Sequence, residues 1–167
     1  MSDVDLGSNQ HVADELAIRA LVAAYTDAIN RFDIDDIAHV YDADSVFTMM
    51  DRPSIVGRQA ILDVLRETVA RYQLVMQLVH SGVVQLDGDN ALARWQITEL
   101  QVALDGQPRF VAGRYEDELV RRAHGWRFSK RTFTARYLGD ISLTSPVLPD
   151  SPVRFPLWPQ RDAVTPP

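Results

Sequence analysis

The chain contains no cysteine, so disulfide bonds, thiolate nucleophiles and cysteine metal ligands are all excluded. Its four histidines are scattered, without the spacing of a metal-binding pair. No apolar run approaches the roughly 20 residues needed to cross a bilayer, and no charged-then-apolar leader opens the sequence. We therefore expect the 167 residues to form one soluble, cytoplasmic domain with a sizeable core.

The sequence motifs of several common enzyme classes are also missing. There is no G-x-S-x-G sequence, no phosphate-binding glycine loop and no dinucleotide fingerprint. The net charge of −6 argues against nucleic acid or an anionic membrane as the main partner. The sequence thus predicts a protein with no metal, no cofactor, no nucleic-acid partner and no membrane partner.

The hydrophobic period changes once along the chain. Helical spacing predicts a helix from about Asp14 to Arg31, a short second helix capped by Asp33 and a third helix over residues 57–73, with a strand at 44–50 before the third. Helices followed by an antiparallel meander indicate an α+β domain with helices on one face of a curved sheet. The period-two strands of the meander are predicted over residues 75–86, 91–104, 109–122 and 126–137, joined by turn sequences rich in Asp and Gly.

The two ends of the chain differ from this central part, which covers residues 14–138. Residues 1–13 are polar and predict a flexible N-terminus. Seven of the nine prolines lie in residues 139–167, and such a segment cannot join the interior of a sheet. Because the segment also carries Phe155 and Trp158, we expect an ordered arm that covers this subunit or a partner.

Two titratable side chains fall on apolar strand faces. Alternation places Asp117 between Tyr115 and Leu119, and a buried carboxyl must be paired, hydrogen-bonded or protonated. Asp117 is therefore either the partner of an arginine such as Arg131 or Arg114, or part of a site. The second side chain is His80, which shares a predicted face with Met76, Leu78, Val84 and Leu86 and is either a general acid or base or a satisfied core histidine.

Four short segments and one hairpin occur in a telling order. They are LVAAY at 21–25, FDIDDI at 32–37, YDADSV at 41–46, VGRQAI at 56–61 and the hairpin at 113–128. The ordered set resembles the SnoaL-like and ketosteroid-isomerase-like proteins of the nuclear-transport-factor-2-like superfamily. This resemblance implies a cone-shaped, curved antiparallel sheet with about three N-terminal helices on its concave face. It also implies an apolar pocket inside the cone, and a homodimer or higher homo-oligomer.

The resemblance implies a cofactor-free enzyme that moves protons on a hydrophobic small molecule of polyketide, steroid or aromatic type, as an isomerase, dehydratase or cyclase. His80 matches the acid/base histidine of SnoaL-like dehydratases, and Asn30 matches the aspartate that orients it. Tyr25 and Asp117 match the two neutral hydrogen-bond donors of ketosteroid isomerases, whose base position is Met49 here.

A pocket of this kind needs a wall of large side chains. Glu99 shares a predicted strand face with one such side chain, Trp95, but is expected at an exposed strand end. The same large side chains suit a plain core equally well. The predicted wall consists of Tyr41, Phe47, Met49, Trp95 and Tyr115.

Two departures from the family patterns favour an alternative function. Met49 cannot move a proton, and Asn30 cannot stabilise an imidazolium as a carboxylate does. The alternative is a non-catalytic domain that binds a small molecule or forms oligomers, including a role like that of a dioxygenase small subunit.

Overall fold

The computed structural model describes residues 9–141. Within that range, no helix combines the length and hydropathy that a membrane span requires. The C-terminal arm predicted over 139–167 lies outside the described residues from position 142 onwards. The elements are α1 (Asn9–Asn30), β1 (Tyr41–Met49), β2 (Ile55–Val56), α2 (Arg58–Val69), β3 (Tyr72–Asp87), β4 (Asn90–Ala103), β5 (Pro108–Arg122) and β6 (Gly125–Asp140).

The six strands form one sheet in the order β2-β1-β6-β5-β4-β3. Strands β3 to β6 are consecutive antiparallel neighbours, which confirms the predicted meander. Strand β1 runs parallel to β6 and antiparallel to β2. The sheet is therefore mixed, whereas a wholly antiparallel sheet was expected. The α+β class is confirmed.

The described helices number two, and not about three. The segment expected to form the second helix is a 3-10 turn, Ala38–Val40, because the chain becomes extended at Tyr41 to begin β1. The Asp33 carboxylate accepts the backbone N–H of Asp36 at 3.2 Å, so it stabilises a turn before this segment. Helix α1 begins at Asn9, five residues before the predicted start, so residues 9–13 are helical.

Helix α1 packs on the sheet through one apolar stripe. Ile18, Val22, Tyr25 and Ile29 recur at helical spacing and are all buried. Burying a side chain of this size contributes about 1.5–3 kcal/mol relative to leaving it in water. The stripe therefore fixes the rotation of α1 and directs the ring of Tyr25 into the interior.

A polar cluster fastens the N-terminal part of α1 to the sheet. The buried Asp14 carboxylate accepts hydrogen bonds from both terminal nitrogens of Arg121 and, at 3.1 Å, from the indole N–H of Trp126. Hydrogen bonding to Arg121, which outweighs the effect of burial, lowers the pKa of Asp14 to about 2. The carboxylate thus stays ionised through the neutral range.

Strand β3 changes its facing at a bulge. The register of β3 on β4 shifts between Val79 and Gly82, so one extra residue is inserted. Before the bulge, Val75 and Gln77 are buried whereas Met76 and Leu78 are 43% and 51% exposed. His80 is exposed on the same outer side, so its predicted inward placement is wrong. Beyond the bulge, Val84 and Leu86 pack against the core as expected.

Replacing Gly82 with alanine is expected to lower the free energy of unfolding by about 1–3 kcal/mol, the usual range for overpacking a core. A Cβ atom at Gly82 would overlap the ring of Trp95, the residue that faces it across β3 and β4. That ring cannot move freely, because it is buried and its N–H is bonded to Asp117. Urea unfolding measures the loss.

Ser81→Ala is the matched control for Gly82→Ala, because Ser81 is the exposed neighbour on the same strand. We expect the Ser81→Ala change to stay within about 0.5 kcal/mol. Equal stabilities for the two alanine variants would contradict the packing of Gly82 on Trp95.

Candidate functional site

A cavity of about 210 Å³ opens between the C-terminal halves of α1 and α2 and the inward face of the sheet. Helix α1 contributes Tyr25 to its lining, and α2 contributes Leu65. Such a mixed apolar cavity with a few polar groups is typical of a small-molecule site. Most of its apolar wall consists of Ile29, Met49, Met50, Leu65, Val69 and Phe133.

Glu99 supplies the carboxylate of this cavity. Its Oε2 accepts a hydrogen bond of 2.7 Å from Nε2 of Gln77, and its Oε1 accepts one from the side-chain amide of Gln101. No arginine, lysine or histidine within residues 9–141 forms an ion pair with Glu99. The carboxylate is therefore oriented by neutral groups, which leaves its charge available to a ligand.

Gln77 links Glu99 to an aromatic hydroxyl. Its Nε2, besides binding Glu99, donates to the hydroxyl oxygen of Tyr115 at 3.1 Å. Its own Oε1 is buried and has no hydrogen-bond partner among residues 9–141. An unpaired buried acceptor is unfavourable, so a donor group on a ligand would be stabilised there.

Asn30 fixes the position of Gln77. Its Nδ2 donates to the Gln77 carbonyl oxygen at 2.9 Å, and its Oδ1 accepts the Gln77 N–H at 2.7 Å. The side chain thus satisfies both backbone groups of Gln77 on the outer side of β3, where this edge strand has no neighbour in the described sheet. The expectation that Asn30 orients His80 is wrong, because its amide is bonded to Gln77.

An Asn30→Asp substitution is expected to lower the free energy of unfolding by about 1–3 kcal/mol. The carboxylate can still accept the Gln77 N–H, but it cannot donate to the Gln77 carbonyl and repels that oxygen. Chemical unfolding measures the change. Asn90→Asp at the exposed first residue of β4 is the control, and a loss of the same size there would argue against a specific role of Asn30.

Tyr25 contributes its phenol side chain to the cavity wall. Its ring packs edge-on against the rings of Tyr41, Tyr115 and Phe128, at centroid distances of 6.1–6.3 Å. Burial raises the pKa of Tyr25 above its usual value, although the charge of Arg131 acts in the opposite direction. The hydroxyl is therefore protonated at neutral pH and able to donate a hydrogen bond.

Asp117 belongs to a buried ion pair behind this wall. Arg131 donates from Nε and Nη2 to the two carboxylate oxygens, each at 2.8 Å, and Trp95 donates from its indole nitrogen at 3.1 Å. A carboxylate that accepts three hydrogen bonds has no proton to offer, so the neutral-donor role expected of Asp117 is wrong. The alternative of an arginine partner is confirmed, and that partner is Arg131.

Aromatic rings surround the Arg131 guanidinium. Its Cζ lies 3.9–4.3 Å from the ring centroids of Phe128, Tyr115 and Tyr25. Burial alone would lower the pKa of Arg131, but the charge and hydrogen bonds of Asp117 raise it above its usual value. The cation is thus permanent, and it connects the ion pair to the rings of Tyr25 and Tyr115.

The other predicted site residues fall in three places. His80 lies on the outer face, where its Nε2 is 2.8 Å from the Thr98 hydroxyl. Of the five predicted wall residues, Met49 lines the cavity, and Tyr115 reaches the site through the hydrogen bond from Gln77. The remaining three are Tyr41, Phe47 and Trp95. Their predicted positions in the wall are wrong, because their rings are buried in the core and do not line the cavity.

Glu99 and Gln77 line the cavity but were not among the predicted site residues. For Glu99 a signal was present, because it follows Ala91, Ala93, Trp95 and Ile97 on one face of β4 and all four are buried. As for Asp117, a carboxyl group on such a face must be paired, hydrogen-bonded or protonated. Gln77 was not identified from the sequence, because the opposite face of β3 was expected to point inward.

Comparisons with known proteins agree with the fold. The profile of the SnoaL-like domain family matches residues 10–132. An uncharacterised protein of Mycobacterium tuberculosis is 28% identical over 135 residues, which cover 79% of this chain and 92% of that protein. A solved structure from Novosphingobium aromaticivorans, provisionally named an aromatic ring hydroxylase, is 27% identical with a TM-score of 0.73, covering 78% of this chain and 94% of that one.

Other solved structures share the fold at lower identity. The hexachlorocyclohexane dehydrochlorinase LinA-type3 of Novosphingobium barchaimii has a TM-score of 0.76 at 19% identity, covering 83% of this chain and 97% of that one. A provisionally named scytalone dehydratase of N. aromaticivorans has a TM-score of 0.74 at 14% identity, covering 80% and 91%. The family profile spans most of the domain, and the chain belongs to the SnoaL-like domain family.

Proposed function

We propose that this protein is an enzyme that needs no cofactor and moves a proton on a small hydrophobic molecule bound in the cavity. The reaction would be an isomerisation, a dehydration or a cyclisation. The observation that carries the proposal is the Glu99 carboxylate, which faces a largely apolar cavity and, among residues 9–141, is held only by neutral amides. Membership of the SnoaL-like family and a fold shared with a dehydrochlorinase add support.

Glu99 is the proton carrier in this proposal. One of its oxygens takes a proton from an acidic C–H bond of the ligand, and the electron pair moves toward an adjacent carbonyl oxygen. The Tyr25 hydroxyl lines the same cavity, stays protonated and donates to that oxygen as negative charge develops on it. The proton returns to another carbon in an isomerisation, or to a leaving hydroxyl group in a dehydration.

Hydrogen exchange tests the proposal without knowledge of the natural substrate. A panel of one-ring and short-chain ketones is incubated with the protein in deuterated buffer, and loss of the C–H signals next to the carbonyl is followed by NMR. We expect accelerated exchange for the members of the panel that bind. Ligands that bind the cavity without any accelerated exchange would contradict proton transfer and favour a binding domain.

The outer face of the sheet favours assembly as a second role. Met76, Leu78, Val83 and Leu92 are 43–59% exposed there, beside a groove of about 510 Å³. Exposed apolar patches of this kind are typical of protein interfaces, and we propose a homodimer formed through this face. Sedimentation equilibrium should show a dimer that Leu92→Glu weakens. A wild-type monomer would contradict it.

A further inference from the structure

We infer that the ligand of the cavity is a one-ring compound with an anionic substituent such as a carboxylate, and that Arg52, Arg71 and Arg109 bind this substituent at the cavity mouth. The inference rests on the proposed function, because it takes the cavity as the substrate site, and it narrows the substrate class. It is carried by charge, by cavity volume and by the arrangement of buried and exposed groups.

Three arginines from separate segments meet at this cavity. Arg52 lies in the turn after β1, Arg71 lies between α2 and β3, and Arg109 lies near the start of β5. All three line the cavity, and all three are exposed, so they occupy its solvent end. A guanidinium at each of three points around one opening forms a site for an anion, because each can donate two parallel hydrogen bonds to it.

No carboxylate in the described part of the chain pairs with these three cations. None of them forms an ion pair within residues 9–141, whereas seven other arginines do. Two acidic residues lie beside these arginines: Asp51, which precedes Arg52, and Asp140, which faces Arg109 across β5 and β6. Both are exposed and neither makes an ion pair with the arginines. In a chain of net charge −6, this local excess of positive charge favours an anionic ligand.

The cavity volume limits the apolar part of the ligand. An apolar cavity of about 150 Å³ holds benzene, and this cavity measures about 210 Å³. One ring with a short substituent fits that space, whereas the four fused rings of a steroid exceed it. The flexible thioethers of Met49 and Met50 and the ring of Phe133 offer a suitable wall for one flat ring.

The buried and exposed groups set the orientation of the ligand. Gln77 and Tyr25 are 2% exposed and mark the inner end with the partly buried Glu99, whereas the arginines mark the outer end. An anionic substituent at the outer end therefore keeps its charge away from the Glu99 carboxylate. The turn that carries Arg52 is fixed by two backbone hydrogen bonds, from Met50 N–H to the Phe133 carbonyl at 2.8 Å and from Arg52 N–H to the Met49 carbonyl at 3.2 Å.

Isothermal titration calorimetry with phenylacetate and its neutral analogue phenylacetamide tests the inference. We expect phenylacetate to bind wild-type protein at least about tenfold more tightly, since hydrogen bonds to charged groups are among the stronger ones. Arg52→Gln, Arg71→Gln and Arg109→Gln should each weaken phenylacetate binding several-fold and leave phenylacetamide binding nearly unchanged. Arg136→Gln is the control, because Arg136 is exposed, forms no ion pair within residues 9–141 and does not line the cavity.

Three results would overturn the inference: equal affinity for the acid and the amide, an equal loss for Arg136→Gln, or no binding of either probe. Glu99→Gln separates this inference from the proposed function. That variant should keep or improve phenylacetate binding while it loses hydrogen exchange. Wild-type exchange by Glu99→Gln, with the arginine effects intact, would remove the proposed function and leave the anion site standing.

Discussion

Replacing Asp117 with alanine is expected to lower the free energy of unfolding by about 3–5 kcal/mol, which is the range for removing one partner of a buried ion pair. The side chains of Asp117 and Arg131 are both 0% exposed. Without the carboxylate, the Arg131 guanidinium stays buried with aromatic rings around it and no counter-charge. The Trp95 N–H also loses its acceptor.

The reverse substitution and the double substitution complete the test. Arg131→Met should cost a similar amount, because it leaves the Asp117 carboxylate unpaired. The double variant Asp117→Leu with Arg131→Met should be more stable than either single variant, because it buries no charge. Urea unfolding gives the three values. Strictly additive losses would contradict the coupling of the two charges.

The neighbouring pair on the same two strands is a matched control. Glu118 and Lys130 also face each other across β5 and β6, with an N–O distance of 2.9 Å, but their side chains are 52% and 47% exposed. An exposed ion pair contributes about 0–1 kcal/mol. Glu118→Ala should therefore have a small effect. A loss as large as that of Asp117→Ala would mean that burial is not the source of the cost.

Replacing Glu99 with glutamine is expected to slow the hydrogen exchange of bound ketones by about 10²–10⁴-fold, the usual contribution of a general base. Glutamine has nearly the same shape as glutamate and can still accept a hydrogen bond from Gln77, but it cannot hold the ligand proton. NMR exchange rates at saturating ketone measure the loss. Far-UV circular dichroism should show an unchanged fold.

Glu116→Gln is the control for Glu99→Gln. It makes the same chemical change on β5, at a residue that lines the outer groove and not the cavity. Its exchange rate should equal that of the wild type. If Glu99→Gln also exchanged at the wild-type rate, Glu99 would not be the proton carrier, and the proposed function that rests on it would be contradicted.

Much of the fold could be predicted from the sequence. The predicted strands of the meander are separated by segments that contain Gly88, Gly106 and Gly125, each at positive φ. Every predicted strand of the meander lies within three residues of its observed limits. The segment after Asp33 was harder, because its apolar spacing suits a helix although the next residues, from Tyr41, pair with β6.

The site could be predicted less well, and β3 shows why. Apolar residues occur on both of its faces, with Val75 and Val79 inward and Met76 and Leu78 outward, so alternation alone does not select the buried face. The bulge then changes the facing, which places Val84 inward although it has the parity of Met76. No local sequence signal marks that extra residue except Gly82.

Locating the bound ligand tests most directly whether this cavity is the functional site. The chain has four methionines, of which Met49 and Met50 line the cavity and Met76 lies on the outer face. With ¹³C-labelled methionine methyl groups assigned by Met→Leu variants, titration with phenylacetate should shift the Met49 and Met50 signals and leave Met76 unmoved. A shift of Met76 alone, or of none of the three, would contradict the assignment of this cavity as the functional site.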